Sequence, residues 1–307
     1  MKDKPGVTVV IPAFNEEAAI GETVAKIKRL YPDFQIIVVD DGSSDNTAEV
    51  AAKAGAEVIR HPYNIGNGAA VKTGIRNAAG RYVVLMDGDG QHRPEDIPRL
   101  LEEMKRYDMV VGARDARGQA SLGRRIANWC YNRLASYVGK FPIKDLTSGF
   151  RVFETDTVRR YLYLFPNTFS YPTTTTLAYL RSGLTIKYVP IKVSKRIGKS
   201  KISTLRDGSR FILIILRIAT LFSPLRIFLP ISFLFFSVGL LYYLYTYTFF
   251  HRFTNMSALL LSVSVMVFLL GLVSEQITQM RYDRVEDVYE SKIQKNLMAK
   301  GKDTHGP

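Results

Sequence analysis

The sequence predicts an α/β domain with a mainly parallel sheet, followed by an interfacial amphipathic helix and a two-helix transmembrane hairpin. Short β-branched runs alternate with helical patterns in the first part of the chain, and two long uncharged stretches lie near its end. The 307 residues are 47% hydrophobic, which is enough for a sizeable core. We expect a sheet domain over 1–203, the interfacial helix over 204–224, the hairpin over 225–277 and a tail over 278–307.

The alternating part has the rhythm of βα units. Strands are predicted at 7–11, 35–39, 56–60, 82–86 and 109–112, and helices at 17–30, 45–54, 68–79 and 94–106. Such a succession is typical of a parallel sheet covered by helices on both faces. Ligands bind such sheets beyond the carboxyl ends of the strands, so the residues after each strand are the first candidates for a site.

Acidic clusters follow three of these strands. Segment 12–17 comes after the first strand, 40–45 after the second and 87–92 after the fourth. Asp40 and Asp41 are adjacent carboxylates that would repel each other unless they met ligand hydroxyls, amides or a cation. Asp45, with Thr47 nearby, is expected to cap a helix.

Asp87 and Asp89 have the spacing of a divalent-cation site. In an extended segment, alternate side chains point to the same side, so both carboxylates can face one ion. Hard oxygen ligands with Gln91 beside them suit Mg²⁺ or Mn²⁺. The pair alone is weak evidence, but its position after an apolar strand favours a metal site. A single cysteine, Cys130, excludes an intramolecular disulfide and a cysteine zinc cluster.

The C-terminal stretches predict two transmembrane helices, at about 227–250 and 254–275. Basic residues flank both ends of the pair, whereas the connecting loop offers only Arg252, so we expect both termini and the sheet domain to be cytoplasmic. No signal peptide is expected at the start. Arg206, Arg210 and Arg217 share one face of the helix predicted before the hairpin, which favours the membrane interface.

Taken together, these motifs resemble family 2 glycosyltransferases with the GT-A fold. The matching segments are 12–17, 40–45, 66–68 and 87–92. The later segment Asp145-Leu-Thr-Ser-Gly-Phe-Arg151 and the hairpin narrow the resemblance to polyprenyl-phosphate glycosyltransferases, the dolichol-phosphate mannose synthase and bactoprenol glucosyltransferase type. It covers about residues 5–280.

The resemblance implies an inverting transfer of one sugar from a nucleotide-diphospho-sugar to a polyprenyl phosphate. The donor would be GDP-mannose or a UDP-hexose, and the acceptor dolichyl or undecaprenyl phosphate in the cell membrane. The product would serve glycan or glycolipid assembly. Because the acceptor phosphate is already ionised at neutral pH, no strong general base is required. Membrane lipids are further expected partners, and the sequence is compatible with a homo-oligomer.

The resemblance also assigns residues to these roles. Pro12, Phe14, Glu16, Asp40 and Asp41 would border the nucleoside, and Asp87 would approach the donor. Asp89 and Gln91, with Asp87, would hold Mg²⁺ or Mn²⁺ on the diphosphate. Arg196 and Lys201 would bind the donor, whereas Arg114, Arg124, Arg125, Asn128 and Ser148 would bind the acceptor phosphate. The expected catalytic set is Asp87, Asp89 and Arg114.

Two departures from the family pattern concern the sugar site. Many relatives carry an acid within the stretch that corresponds to 169–176, and Glu-Val-Pro where this chain has Tyr188-Val-Pro. Neither acid is present, so no acidic ligand of a sugar hydroxyl is expected from these segments. Threonines 173–176 either line the sugar site or cap the helix that runs toward Arg181, and capping is favoured slightly.

Three other classes of protein agree less well with this sequence. The net charge of +14 indicates anionic partners, but an acidic crevice disfavours nucleic acid. A processive polysaccharide synthase usually carries a Gln-x-x-Arg-Trp motif, and the only tryptophan, Trp129, does not fit it. A non-catalytic nucleotide-sugar-binding scaffold would not need the metal carboxylates. The sequence does not determine the donor base, the sugar or the polyprenyl length.

Overall fold

The computed structural model describes residues 6–114, 129, 131–133, 135–137, 139–168, 170–193 and 222–303, with side chains up to 280. The chain divides into two compact units, Met1–Leu205 and Arg206–Pro307.

A seven-stranded mixed sheet forms the first unit, and its strands stand in the order β3-β2-β1-β4-β6-β5-β7. The strands are β1 Val7–Ala13, β2 Gln35–Asp40, β3 Glu57–Arg60, β4 Tyr82–Leu85, β5 Met109–Arg114, β6 Arg151–Glu154 and β7 Ile186–Ile191. Strand β6 runs antiparallel to both neighbours, β4 and β5, and every other pairing is parallel.

Helices cover the sheet. They are α1 Glu17–Leu30, α2 Thr47–Lys53, α3 Asn67–Asn77, α4 Ile97–Glu103, α5 Thr155–Tyr161 and α6 Tyr171–Arg181. Helix α1 buries Ala19, Ile20, Thr23, Val24 and Ile27, a stripe with the spacing of one helix face. All seven residues of β1 are buried, as expected for a central strand with both faces covered.

The predicted fold class is confirmed. The structure adds β6, β7 and α5, none of which the sequence reading placed, and the antiparallel β6 makes the sheet mixed. The helix expected over 94–106 begins with the 3₁₀ turn Pro94–Asp96, because prolines 94 and 98 limit regular hydrogen bonding at its start. The α-helix that follows ends at Glu103.

Two long helices make up most of the described second unit, α7 Leu225–Phe250 and α8 Asn255–Asp303. Segments Leu225–Phe250 and Asn255–Met280 are long and apolar enough to cross a membrane. Ser232 donates a hydrogen bond to the Ser264 carbonyl at 2.9 Å. A Cβ at Gly271 would lie 2.7 Å from Cβ of Phe228, so glycine permits the close contact between the helices.

Candidate functional site

The carboxyl ends of three neighbouring parallel strands, β2, β1 and β4, carry the predicted acidic segments to one edge of the sheet. Ala13 pairs in register with Asp40, and the Asp41 N–H donates to the Ala13 carbonyl at 2.8 Å. On the other side, the Met86 N–H donates to the Val10 carbonyl at 3.1 Å. The segments after these strands therefore meet in one crevice, as expected for ligand sites of open α/β sheets.

Loops after β1 and β2 are tied together by side chains. The Asn15 N–H donates to Ser43 Oγ at 2.9 Å, and the Glu16 N–H donates to Thr47 Oγ1 at 2.9 Å. Asn15 has a φ of 51°, a left-handed conformation that asparagine adopts more readily than most residues. Pro12 is buried within β1, and Phe14 and Glu16 are half-buried at the crevice.

Asp45 contributes to the start of α2, although the N-cap is Asn46 and not Asp45 as expected. Its Oδ1 accepts the backbone N–H of Thr47, the first helical residue, at 3.1 Å. Burial alone would raise the pKa of Asp45. Hydrogen bonds from Thr47 and Glu17 outweigh this effect and lower the pKa below its usual value. The carboxylate therefore serves the local fold.

The protein itself supplies partners for the adjacent Asp40 and Asp41 carboxylates. Asp40 is fully buried, accepts the Ser43 N–H at 3.1 Å and lies 3.1 Å from Arg60 Nε in an ion pair. That ion pair lacks hydrogen-bond geometry at Oδ2. The repulsion expected between adjacent carboxylates is thus offset by a cation and by amides.

Asp41 accepts three N–H groups from the segment after β3. His61 Nδ1 lies 2.7 Å from Oδ1, and the backbone N–H groups of Ile65 and Gly66 donate at 3.1 and 2.8 Å. His61 Nε2 lies 3.0 Å from Thr73 Oγ1 on α3. Sequence reasoning missed His61, since a lone histidine after a strand carries no local signal.

Asp87 and Asp89 lie in the turn after β4. Asp89 is buried and its Oδ1 accepts the Gln91 N–H at 3.1 Å, whereas the Asp87 side chain is 37% exposed. The Asp87 N–H donates to His92 Nδ1 at 3.2 Å, and the His92 ring stacks on Phe150 with centroids 5.2 Å apart. His92 and Phe150 therefore support the turn on its buried side, and the Asp87 carboxylate is partly exposed to solvent.

Because Gly149 has no side chain, the Asp87 carboxylate can pack directly against it. A Cβ on Gly149 would lie 2.6 Å from both carboxylate oxygens of Asp87, closer than real contacts allow. The segment before β6 thus lies directly against the acidic turn. This contact connects two motifs that are about sixty residues apart in the sequence.

The donor set of this turn fits a hard divalent cation. Asp87, Asp89 and Gln91 offer only oxygen ligands, the kind that Mg²⁺ and Mn²⁺ prefer. Among the residues that the structure describes, no group of three or more His, Cys, Asp or Glu side chains could hold a metal ion by themselves. Mg²⁺ in proteins usually keeps several waters and is completed by substrate phosphates, so two carboxylates and one amide are a sufficient protein contribution.

Arg114, at the end of β5, is clamped by Asp145. Nε and Nη2 donate to Oδ2 and Oδ1 of Asp145 at 2.8 and 3.0 Å, and Nη2 also donates to Thr147 Oγ1 at 2.6 Å. Burial opposes the charge of Arg114, but Asp145, and then Asp87 and Asp89, raise its pKa. Burial would raise the pKa of Asp145, yet Arg114 lowers it below its usual value.

The segment that resembles the family motif is fixed by buried polar contacts. Ser148 has no exposed surface, and its hydroxyl donates to the Gly112 carbonyl at 2.6 Å. Arg151 is also fully buried and donates to the carbonyls of Ser148 and Leu146 and to Thr176 Oγ1. Burial lowers the pKa of Arg151. Arg151 belongs to the motif 145–151, but the sequence did not predict that its side chain is buried.

The slight preference for helix capping by threonines 173–176 is wrong. The N-cap of α6 is Ser170, without a side-chain capping bond, and Thr174, Thr175 and Thr176 instead donate to carbonyls four residues earlier. All four threonines are buried. Thr176 also accepts from Arg151, so the run packs the core beside the motif.

Several predicted residues lie outside the described part of the chain. They are Arg124, Arg125, Asn128, Arg196, Lys201 and most of the expected interfacial helix, 204–221. The structure brings together Asp87, Asp89 and Gln91, and it places Arg114 within electrostatic reach of both aspartates. The ligand roles of all these residues stay predictions.

Known families match both units of the chain. Residues 8–162 match the family described as glycosyl transferase family 2, and residues 223–280 match the GtrB C-terminal hairpin. The chain belongs to glycosyl transferase family 2, which confirms the resemblance read from the motifs. It is a glycosyltransferase, and its apolar helical hairpin makes it a membrane protein.

Relatives at about one-third identity extend this result. The chain is 35% identical over 201 residues to an uncharacterised protein of Methanocaldococcus jannaschii, covering 62% of this chain and 82% of the relative. It is 31% identical to undecaprenyl-phosphate mannosyltransferase of Micrococcus luteus, covering 64% and 87%. Dodecaprenyl-phosphate galacturonate synthase of Rhizobium johnstonii is 34% identical, with 50% of this chain and 49% of the relative covered.

Solved structures support the fold. Glucosyl-3-phosphoglycerate synthase of Mycobacterium tuberculosis, in complex with Mn²⁺, uridine diphosphate and glucosyl-3-phosphoglycerate, superposes with a TM-score of 0.56 at 20% identity. The match covers 70% of this chain and 78% of that protein. At this identity the likeness concerns the fold alone.

Proposed function

We propose that this protein transfers one sugar from a nucleotide-diphospho-sugar to a polyprenyl phosphate, with inversion at the anomeric carbon. The observation that carries the proposal is the combination, in one chain, of a family 2 unit with an acidic turn after β4 and a GtrB-type membrane hairpin. Relatives named as undecaprenyl-, dodecaprenyl- and dolichyl-phosphate sugar transferases or synthases support the acceptor class.

In the proposed reaction, an acceptor phosphate oxygen forms a bond to the anomeric carbon as the bond from that carbon to the donor diphosphate breaks. The products are the polyprenyl-phosphate sugar and a nucleoside diphosphate. The acceptor oxygen is already anionic at neutral pH, so the protein must position it rather than deprotonate it. Stabilisation of the charge that develops on the leaving diphosphate is the larger requirement.

Asp87, Asp89 and Gln91 would hold the divalent cation, Mg²⁺ or Mn²⁺. When bound, this ion supplies positive charge to the donor diphosphate. The buried Asp89 accepts the Gln91 N–H and so fixes the turn, whereas the Asp87 side chain is partly exposed. The crevice loops 12–16 and 40–43 would border the nucleoside, with Pro12, Phe14, Glu16 and Asp41 nearest to it.

Arg114 would position the acceptor phosphate. Asp145 and Thr147 occupy Nε and Nη2 of its guanidinium, and Nη1 has no hydrogen bond to the residues that the structure describes. The clamp therefore fixes the orientation of a guanidinium edge that can bind an anion. Arg124, Arg125 and Asn128 would complete the acceptor site, and Arg196 with Lys201 would bind the donor. Ser148 was also predicted to bind the acceptor phosphate, but its hydroxyl is buried and donates a hydrogen bond to the Gly112 carbonyl.

We place the first unit and both termini in the cytoplasm. Basic residues flank both ends of the hairpin, and Arg252 is the one Lys or Arg in the short connection between α7 and α8. The proposed localisation is therefore the cell membrane with two spans. Donor nucleotide sugars would then meet the acceptor on the cytoplasmic leaflet.

A transfer assay tests the reaction. Detergent-solubilised protein is incubated with polyprenyl phosphate, Mg²⁺ or Mn²⁺ and a panel of labelled donors that includes GDP-mannose, UDP-glucose, UDP-galactose and UDP-N-acetylglucosamine. Label from one donor in organic-extractable lipid, lost with EDTA, is the expected result. Label in a polymer would support a processive synthase instead, and nucleotide binding without transfer from any donor would support a scaffold.

Asp89→Ala tests the metal assignment. We expect this variant to fold and to lose turnover, because the turn loses an oxygen ligand for the ion. Asp33→Ala is the matched control, since it removes the same charge from an exposed position and should keep full activity. Full activity in a folded Asp89→Ala protein would contradict the assignment.

A further inference from the structure

The chain segment that connects β5 to β6 in the first unit has an exposed face of aromatic and basic side chains. The described positions between 129 and 139 are helical, and Trp129, Arg133, Tyr137 and Lys140 lie on the outer side. Trp129 is 65% exposed and Tyr137 54% exposed. We call these four residues the Trp129 face.

Helical spacing explains why three of these residues share one side. Positions 129, 133 and 137 fall within an arc of about 80° at 3.6 residues per turn, and Lys140 follows in the turn after residue 139, with a φ of 50°. Tyr131 and Ala135 point the other way and are buried. The face is therefore the outer surface of an amphipathic segment whose apolar side is already satisfied by the core.

Hydrogen bonds on the inner side fix the segment to the core. The Tyr131 hydroxyl lies 2.8 Å from Thr173 Oγ1 on α6. Asn132 Nδ2 donates to the Lys144 carbonyl at 3.0 Å, and Asn132 Oδ1 accepts the Leu146 N–H at 3.2 Å. These contacts hold the Trp129 face in a defined orientation beside the segment that contains Asp145.

The face borders an open groove. Its volume is about 690 Å³, and Ser136, Phe141 and Pro142 complete a lining that is mainly apolar. Large exposed aromatic side chains with cations beside them are uncommon on the surface of a protein that meets only water. Tryptophan and tyrosine prefer the boundary between lipid and water, and lysine and arginine are attracted to anionic headgroups.

We propose that the Trp129 face docks the first unit onto an anionic lipid bilayer surface. The chain carries two helices that are long enough to cross a membrane, and its net charge of +14 complements anionic headgroups. The proposal requires membrane anchoring by the hairpin, but it does not depend on the sugar transfer proposed above. It adds a membrane contact to those expected from the hairpin and from residues 204–224.

Trp129 is the only tryptophan in the chain, so its fluorescence reports on this face alone. The full-length protein is compared in detergent, in phosphatidylcholine vesicles, and in phosphatidylcholine–phosphatidylglycerol vesicles, with brominated lipid as a quencher from the membrane side and acrylamide as one from water. We expect a blue-shifted emission, quenching by brominated lipid and protection from acrylamide. Each effect should be larger with phosphatidylglycerol and smaller at high salt.

Charge reversal provides the matched comparison. Arg133→Glu/Lys140→Glu should reduce the quenching by brominated lipid several-fold. Lys105→Glu/Arg106→Glu makes the same change of net charge at exposed positions outside the face and should leave the quenching unchanged. Circular dichroism and thermal unfolding verify that both variants are folded.

Three outcomes would overturn the proposal. Trp129 could remain open to acrylamide in anionic vesicles and unquenched by brominated lipid. Both charge reversals could have the same effect. The protection of Trp129 could instead depend on protein concentration and be equal in detergent, which would identify a second copy of the chain as the occupant.

Discussion

Nδ1 of His61 lies 2.7 Å from Oδ1 of Asp41, and the opposite ring nitrogen lies 3.0 Å from Thr73 Oγ1. Because a carboxylate accepts hydrogen bonds, Nδ1 is assigned as the donor to Asp41, beside the backbone N–H groups of Ile65 and Gly66. The imidazole thus connects the end of β2 to α3. Since Asp41 stands at the crevice proposed for the nucleoside, we predict that His61 positions Asp41 for donor binding.

Two substitutions of His61 separate its two hydrogen bonds. An Asn amide can occupy the place of Nδ1 and keep the bond to Asp41, whereas a Gln amide reaches the place of Nε2 and keeps only the bond to Thr73. We expect His61→Gln to weaken nucleotide binding about tenfold or more, because a bond to a charged group contributes about 1.5–3 kcal/mol. His61→Asn should stay close to the native affinity. Titration calorimetry with the nucleoside diphosphate of the active donor measures both.

Kinetics distinguish this role from a purely structural one. For His61→Gln, KM for the donor should rise while kcat at saturating donor and KM for the acceptor stay near their native values. Thr73→Val is the control, since it removes the outer hydrogen bond and leaves the Asp41 contact in place. Equal loss of affinity in the Gln and Asn variants would refute the positioning role.

Gly149 is predicted to be essential for the position of Asp87. A Cβ at residue 149 would lie 2.6 Å from both Asp87 carboxylate oxygens, so Gly149→Ala must push that side chain toward solvent. A displacement of about 1 Å can reduce turnover about 100-fold. We therefore expect a large loss of kcat in the transfer assay, with little loss of thermal stability because the Asp87 side chain is 37% exposed and can move outward.

Gly6→Ala serves as the comparison for this substitution. A Cβ at Gly6 meets nothing within 4 Å, so the same chemical change should leave turnover unchanged. Native kcat in Gly149→Ala would mean that the Asp87 carboxylate does not need its present position, and its assignment to the donor and metal would then fail.

Local patterns were sufficient to predict strands β1 to β5 and the helices between them. Strand β1 and helix α1 follow from a buried apolar run and from the spacing of Ile20, Val24 and Ile27. Strand β6 was missed because Arg151–Glu154 is short and begins with a charged residue whose burial depends on distant partners. Its antiparallel pairing between β4 and β5 is set by tertiary contacts that no local period encodes.

The candidate site was predictable where its residues are neighbours in sequence. Asp87, Asp89 and Gln91 carry their own spacing signal. In contrast, the approach of Gly149 to Asp87 and the pairing of Arg114 with Asp145 join segments that are far apart in the chain. Such contacts depend on the order of strands in the sheet, which the sequence pattern left open.

Thr176 and Thr175 are predicted to contribute differently to stability. Thr176 Oγ1 accepts an N–H of the buried Arg151 guanidinium at 2.8 Å, whereas among the described residues Thr175 Oγ1 bonds only to the Tyr171 carbonyl. Valine has nearly the same shape, so Thr176→Val leaves a buried donor without this acceptor and should cost about 1–3 kcal/mol. Thr175→Val should be close to neutral. Thermal unfolding of the two variants compares them, and equal melting temperatures would show that Arg151 finds another acceptor.

Asp145 is predicted to make stability depend on pH in the acid range. Burial raises its pKa, but the Arg114 pair acts more strongly and holds the pKa below the ordinary value of 3.8. A carboxyl whose pKa is depressed by folding stabilises the protein above its unfolded pKa, and this contribution is lost as pH falls through the folded value. Asp145→Asn should therefore lower Tm near pH 7, and its difference from the native protein should shrink below about pH 4. Asp156→Asn, at a side chain that is 87% exposed, should show little difference at any pH. A Tm difference for Asp145→Asn that stays constant from neutral to acid pH would show that the Arg114 pair does not govern this titration.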